Sequence, residues 1–325
     1  TGALHALAQQ GISPFGVYVT SPDYLGGVQD IPALAAVCRA QGVPLLVDNA
    51  HGAYLRFLPQ NCHPIAQGAA MCCDSAHKTL PVVTGGAYLH LAHDAPVQDE
   101  AAVRGALALF GSTSPSYLIL QSLDACNAVL AGDYPRRLVQ CCAALEGLRR
   151  SLNKAAAARQ CPVPLAVAGA QQEPMKLTLD AAALGCTGTA LADALRRAQL
   201  ECEYADPRYV VLMFTPENPP QDYTRLQTGL QQLLAAVPAG LSRPENRAGE
   251  FAALQQQAAQ RCTIRQAVLG AQVRIPVHKT LGRVCAMPTV SCPPAIPVAV
   301  SGEEITPAAI ALMQRYGIEE LSVLR

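Results

Sequence analysis

Three short apolar runs, PFGVYVT (14–20), VPLLVD (43–48) and AAMCCDS (69–75), are separated by stretches long enough for a helical crossover. That pattern limits the first part of the chain to a small set of folds. VPLLVD carries no polar residue until its last position, as expected of a central parallel strand buried on both faces. Residues 28–41, VQDIPALAAVCRAQ, place apolar residues at helical spacing and stop at Gly42. A short helix is expected over 64–68, and GAYLHLA (86–92) reads as the next strand. Strands alternating with helices indicate a parallel α/β sheet, where ligands gather beyond the carboxyl ends of the strands.

From Pro96 to Ala157 the pattern is mostly helical, broken at GSTSPSY (111–117) and GDYP (132–135). MKLTLD (175–180), a helix beginning near Thr187, YVVLMFT (209–215) and a helix from Tyr223 to Val237 read as a small α+β unit. Beyond the polar loop 239–250 comes a third segment, helix-like over 251–268, then short strands and the proline-rich SCPPAIPVAV (291–300).

At 325 residues the chain is too long for one small core. Lys+Arg and Asp+Glu are equal at 24 each, which removes the electrostatic case for nucleic acid or an anionic membrane as partner. No apolar run reaches the ~18 residues of a membrane span. The 13 cysteines include no C-x-x-C pair and sit in apolar context or in doublets (Cys72-Cys73, Cys141-Cys142). Adjacent cysteines point in different directions, which suits neither zinc nor mutual bridging, so buried free thiols in a reducing cytoplasm are expected.

An acid and a lysine carry the chemical signal. VPLLVD ends in Asp48, followed by Asn49, Ala50, His51 and Gly52. An acid there lies where a parallel sheet binds ligands, and a turn or helix cap explains it equally well. The next strand ends in Asp74-Ser75-Ala76-His77-Lys78. Asp48 and Lys78, at the ends of successive α/β units, make a more specific pair. Pyridoxal phosphate needs both groups: an amine to condense with its aldehyde, and a carboxylate to keep the pyridine nitrogen protonated. Ser114 before Pro115 fits a helix N-cap followed by the first helical residue. Gly85 and Gly86 suit a tight turn. His5, His63, His90, His93 and His278 are dispersed without metal-ligand spacing and are expected on the surface or as satisfied core residues.

VDNAHGAY (47–54) followed by DSAHKTL (74–80) resembles the bacterial ornithine/lysine/arginine decarboxylases, fold type I pyridoxal phosphate enzymes. GSTSPSYLILQSLDAC (111–126), MKLTLD, LGCTGTALADAL (184–195), EYADPRYVVLMFTP (203–216) and TLGRVCAMPTVSCPPAIPVAVSGEEIT (280–306) extend the likeness over nearly the whole chain. It implies an α/β large domain with a mainly parallel sheet over 1–135, a small α+β domain with a linking helix over 136–240, and a carboxyl-terminal α+β domain over 241–325. It implies Lys78 as the Schiff-base residue, Asp48 on the pyridinium, Ala50 against the ring, and Ser75 and His77 beside the phosphate. Ser112, Thr113 or Ser114 would add a phosphate contact across a homodimer interface, and His51 either touches the cofactor or substrate or packs behind them. The implied activity is decarboxylation of arginine, lysine or ornithine in polyamine metabolism. Another fold type I reaction, transamination or elimination, uses the same Lys and Asp, and a catalytically inactive relative is a third reading.

Two positions depart from the resemblance: Ala295 stands in PPAIP where the family has PPGIP, and Ser301 in SGE where it has PGE. The family's phosphate-binding loop and ring-stacking histidine have no counterpart after Thr1, so a preceding segment is expected to lie outside this chain.

Overall fold

A computed structural model describes residues 2–112, 114–238, 241, 254, 258–291 and 296–325. Strands β1 (Val17–Thr20), β2 (Leu45–Asp48) and β3 (Met71–Asp74) run parallel as neighbours in that order. Strand β4 (Tyr88–Leu91) joins β3 antiparallel, with Asp74 opposite Tyr88 and Cys72 opposite His90. The sheet is thus parallel with one antiparallel edge, because the short connection after β3 leaves no room for a crossover helix.

Helix α2 (Ile31–Ala40) makes the first crossover; α1 (Gly2–Gln9) precedes β1. The Asp30 carboxylate caps α2 by accepting from the Ala33 N–H, Pro32 sits in its first turn, and Gly42, at φ +66°, lets the chain turn back into β2. Ile31, Ala35 and Cys38 of α2 pack on Leu45, Val47, Ala69 and Cys72, all buried. Burial of each large aliphatic side chain contributes about 1.5–3 kcal/mol. Only this face of β2 is fully buried. Leu46 and Asp48 point the other way and are half-buried, which corrects the expectation of a strand covered on both sides. Residues 64–68 form a turn rather than a helix, since Gly68 is at φ +101° and the chain returns at once to β3.

Helices α4 (Glu100–Phe110), α5 (Tyr117–Ala131) and α6 (Tyr134–Ala158) occupy the helical stretch, broken where the sequence indicated. The N-cap of α5 is Ser116, not Ser114: the Ser112 hydroxyl accepts from the Ser114 N–H, so a local turn takes the place of a first helical turn. Strands β5 (Lys176–Asp180), β6 (Tyr204–Ala205) and β7 (Tyr209–Met213) form a sheet of order β5–β7–β6, with α7 (Gly188–Arg197) capped by Thr187 and α8 (Pro220–Ala235) following.

The chain divides into two compact units. One takes Thr1–Lys154, Ala166–Thr178 and Leu212–Gln231; the other takes Ala155–Leu165, Leu179–Val211 and Gln232–Arg325. In the second unit, antiparallel strands Gln272–Pro276 and Glu320–Leu324 and helix Pro307–Arg315 enclose a core that includes Val277, Cys285, Leu312, Met313 and Val323. Of the helix expected over 251–268, Ile264–Leu269 is helical while 258–263 is not, because Thr263 forms a capping box with Gln266 and starts the helix there. The rest of that stretch, apart from Leu254, lies outside the described residues, as does Ala295. Gly302 turns at φ +93° and donates to the Cys285 carbonyl, so glycine makes the bend beside Ser301.

Candidate active site

Strand β3 delivers its last residue into a one-turn helix, α3 (Ala76–Thr79), which carries His77 and Lys78. The Lys78 Nζ lies 3.3 Å from His51 Nε2. His51 is buried, and burial, then the charges of Lys176 and Lys78, push its pKa down to about 3. The ring is therefore neutral at physiological pH and accepts from the Lys78 ammonium at Nε2, which puts the ring proton on Nδ1. Nδ1 is buried with no hydrogen-bond partner among the described residues. Tyr24 packs edge-on against the ring at 4.8 Å between centroids.

A second lysine, buried where Lys78 is only half-buried, supports this wall. Lys176 Nζ donates to the backbone carbonyls of Asp23 (2.8 Å) and Tyr24 (3.2 Å) and lies 5.4 Å from the centre of the Tyr24 ring. Behind it, the Glu173 carboxylate accepts from the Tyr54 hydroxyl and from the Met175 and Lys176 N–H groups. Burial raises the Glu173 carboxyl, opposed by the Lys176 charge and the Tyr54 hydrogen bond. Arg149 donates to the carbonyls of Pro174 and Lys176. These bonds fix the segment that holds Tyr24 against His51.

Asp48 ends β2 on the half-buried face of the sheet, paired in register with Cys73. Its Oδ1 accepts from the Ala50 N–H at 3.0 Å and its Oδ2 from the Tyr18 hydroxyl at 3.2 Å. Burial and the Asp48 charge push the Tyr18 phenol up to about 12, so it stays a donor. Asp48, the last residue of β2, thus serves as the acceptor that steadies the turn after the strand. Ser75 precedes α3 without capping it through its hydroxyl. His77 donates twice to the Gly86 carbonyl, from its backbone N–H (3.2 Å) and from Nδ1 (3.0 Å), so its Nε2 is the ring's acceptor. Gly85, at φ +100°, forms the turn that brings that carbonyl round. Ser112 and Ser114 are exposed, and Thr113 lies outside the described residues.

Five further side chains meet on the opposite face, brought together from separate stretches of the chain. Asp74 is buried, with Oδ2 at 3.1 Å from His63 Nε2 and 3.0 Å from His90 Nε2. Asn49 Nδ2 donates to its Oδ1 at 2.7 Å, and Cys72 Sγ lies 3.6 Å from His63 Nε2. Burial would raise the Asp74 carboxyl, but the hydrogen bonds of His63, His90 and Asn49 outweigh it and hold it well below the usual carboxylate range. His63 is a satisfied core residue, as its sequence context suggested. The detectable signal was the i, i+2 pair Cys72 and Asp74 on one strand, with His90 opposite Cys72 once β4 pairs antiparallel.

Solved lysine decarboxylases share this fold. The enzyme from Francisella novicida aligns with 96% of the chain and 57% of its own at a TM-score of 0.72 and 17% identity. The constitutive Escherichia coli enzyme aligns with 96% of the chain and 58% of its own at 0.68 and 18%. The architecture is fold type I of the pyridoxal phosphate enzymes. The chain belongs to the Orn/Lys/Arg decarboxylase family, whose major-domain model matches residues 3–221. An arginine decarboxylase of Bacillus subtilis is 28% identical over 302 residues, 90% of this chain and 59% of that protein. A second B. subtilis protein, the uncharacterized YaaO, is 33% identical over 205 residues, 61% of this chain and 41% of its own. The chain thus spans about half the length of these two curated relatives.

The residues present fit pyridoxal phosphate. A lysine amine facing a neutral acceptor, a carboxylate at the neighbouring strand end and a buried, unpartnered His51 Nδ1 donor are the groups such a ligand uses. An unpaired buried donor costs about 1–3 kcal/mol, which an acceptor on the ligand would offset.

Proposed function

We propose that the protein is a pyridoxal phosphate-dependent decarboxylase of a basic amino acid, arginine, lysine or ornithine, releasing the corresponding amine. The observation that carries this reading is the Lys78–His51 pair at the end of β3, within the matched family region. Lys78, Asp48, Ala50, His51, Ser75, His77, Thr113 and Ser114 would hold the cofactor, which when bound supplies the sink for the electron pair left by departing carbon dioxide.

The chain's own residues do the rest. Lys78 gives the amine that anchors the cofactor covalently and moves a proton at Nζ. His51 holds that amine in place through Nε2. Asp48 keeps a proton on the ligand's ring nitrogen, and Tyr18 orients the carboxylate for it. Ala50 offers a small side chain beside Asp48. His77, tied at Nδ1 to Gly86, presents Nε2 at a fixed angle. The exposed apolar side chains Phe110 and Tyr117, flanking Ser112 and Ser114, support a homodimer that covers this stretch. Free thiols at all described cysteines, buried and exposed alike, support a reducing, cytoplasmic setting. No described helix is long and apolar enough to cross a membrane.

The test is product analysis with pyridoxal phosphate and each amino acid in turn. Carbon dioxide with agmatine, cadaverine or putrescine is the expected result, lost in Lys78→Ala. A keto acid product would replace this reading with transamination.

A further inference from the structure

The cluster around Asp74 is separate from the Lys78 site. Asp48 and Cys73 are register partners, so Asp74, the next residue on β3, projects to the other face of the sheet. There His63, Asp74 and His90 line a cavity of about 580 Å³ with mostly apolar walls. His63, Cys72 and Asp74 are all buried, and their potential ligand atoms lie within 4.8 Å of one another. His90 is partly exposed at the cavity side.

We propose that His63, Cys72, Asp74 and His90 form a tetrahedral binding site for Zn²⁺. Two imidazoles, a thiolate and a carboxylate are the donors that a borderline-soft d¹⁰ ion takes. With bonds of about 2.0–2.3 Å, a tetrahedral centre needs N···O edges of about 3.3 Å and N···S edges of about 3.5 Å. The observed edges are 3.1 and 3.0 Å for the two His–Asp pairs and 3.6 Å for His63 to Cys72. Two imidazoles sharing such a centre have ring centroids about 5 Å apart; those of His63 and His90 are 5.0 Å apart. His63, Cys72 and Asp74 already stand within 4.8 Å of one another, and His90, held to Asp74 but outside that trio, has to swing in to complete the tetrahedron.

The surroundings fit a metal site in a second way. Asn49 Nδ2 holds the other Asp74 oxygen at 2.7 Å, the outer contact that orients a ligating carboxylate. Binding releases the Cys72 thiol proton to solvent. It also moves the His63 and His90 ring protons from Nε2 to Nδ1, exchanging both hydrogen bonds to Asp74, the Cys72–Asp74 contact and the long 3.4 Å contact from the Ile65 N–H for bonds to the ion. Arg56, on the same cavity wall, is exposed, and solvent and salt screen its charge. The ion would tie β3 to β4 and to the 61–65 loop directly before the turn that carries Lys78.

Cobalt substitution tests this without cofactor or turnover, so its outcome is independent of the decarboxylase reading. The chelator-treated protein is titrated with Co²⁺ and its long-wavelength d–d bands, which lie clear of pyridoxal absorbance, are recorded. Saturation at one equivalent with the intensity of a tetrahedral centre, and displacement by Zn²⁺, are expected. Cys72→Ser and His90→Ala should each weaken binding about tenfold or more, and Asp74→Asn should abolish the bands. Cys186→Ser, at an exposed thiol elsewhere, should leave the titration unchanged. Circular dichroism verifies that each variant folds; His90→Ala, at the most exposed ligand, carries the test should Asp74→Asn not fold. Absence of the bands in folded wild-type protein, or the same titration in Cys72→Ser and His90→Ala as in wild type, would overturn the proposal.

Discussion

Lys78 Nζ and His51 Nε2 stand 3.3 Å apart, an amine held by a buried imidazole that does not itself take a proton near neutral pH. His51→Phe retains the aromatic packing on Tyr24 and removes the acceptor. Reaction of Lys78 with pyridoxal phosphate, followed by growth of the visible band, should slow on the order of 10²-fold. His51→Gln, which restores an acceptor, should recover most of that rate. Equal rates in all three proteins would remove His51 from the account.

Acid should destabilise the protein through the same histidine. Its pKa is about 3 in the folded protein against 6.5 ordinarily, so between those values the unfolded chain binds the extra proton. Stability therefore rises with pH across that window. The folded state keeps its full stability above pH 6.5 and loses about 2 kcal/mol by pH 5 from this group. Asp74, with its carboxyl held low, adds a loss of the same sign at still lower pH. Urea midpoints at pH 7, 6 and 5 should fall steadily in wild type, with a visibly flatter slope in His51→Gln.

Asp48→Asn should leave the fold intact, because the Asn Oδ1 still accepts from the Ala50 N–H while its Nδ2 donates to the Tyr18 hydroxyl oxygen. Removing the charge that holds the ligand's ring proton should lower kcat on the order of 10²–10³-fold, with KM less affected. Tyr18→Phe should cost about tenfold, since Asp48 loses one orienting donor worth about 1.5 kcal/mol. Steady-state kinetics with the amino acid that wild type accepts give both values.

Glu173 should matter to stability more than any surface charge. Tyr54→Phe leaves its buried carboxylate short of one donor, a loss of about 1–3 kcal/mol. Glu173→Ala orphans the Tyr54 hydroxyl and two backbone N–H groups, for about 3–5 kcal/mol. Denaturant unfolding ranks the two variants, and a Glu173→Ala midpoint equal to wild type would contradict this role.

Elements set by local chemistry were legible in the sequence. Asp30, Pro32 and Gly42 bound α2 where propensity puts it, and Thr187 caps α7 as expected. VPLLVD misled because apolar continuity does not reveal whether the second face is covered, and β2 has only one face fully buried. The turn at 64–68 and the antiparallel β4 depend on how the chain re-enters the sheet, a tertiary choice without a residue signature. Asp48, His51 and Lys78 stood out because strand ends are visible in sequence. His63 and His90 did not, since the 26 positions between them close up only when β4 pairs with β3. Glu173 and Lys176 reach the Tyr24 wall from far along the chain, and spacing carries no trace of such a contact.

The most direct test of the central claim is chemical trapping of the amine. The protein is incubated with pyridoxal phosphate, reduced with borohydride, digested and mapped by mass spectrometry. The account predicts a single phosphopyridoxyl group on Lys78, absent from Lys78→Ala. A label on Lys176 or another lysine in place of Lys78, or none in folded wild-type protein, would contradict it.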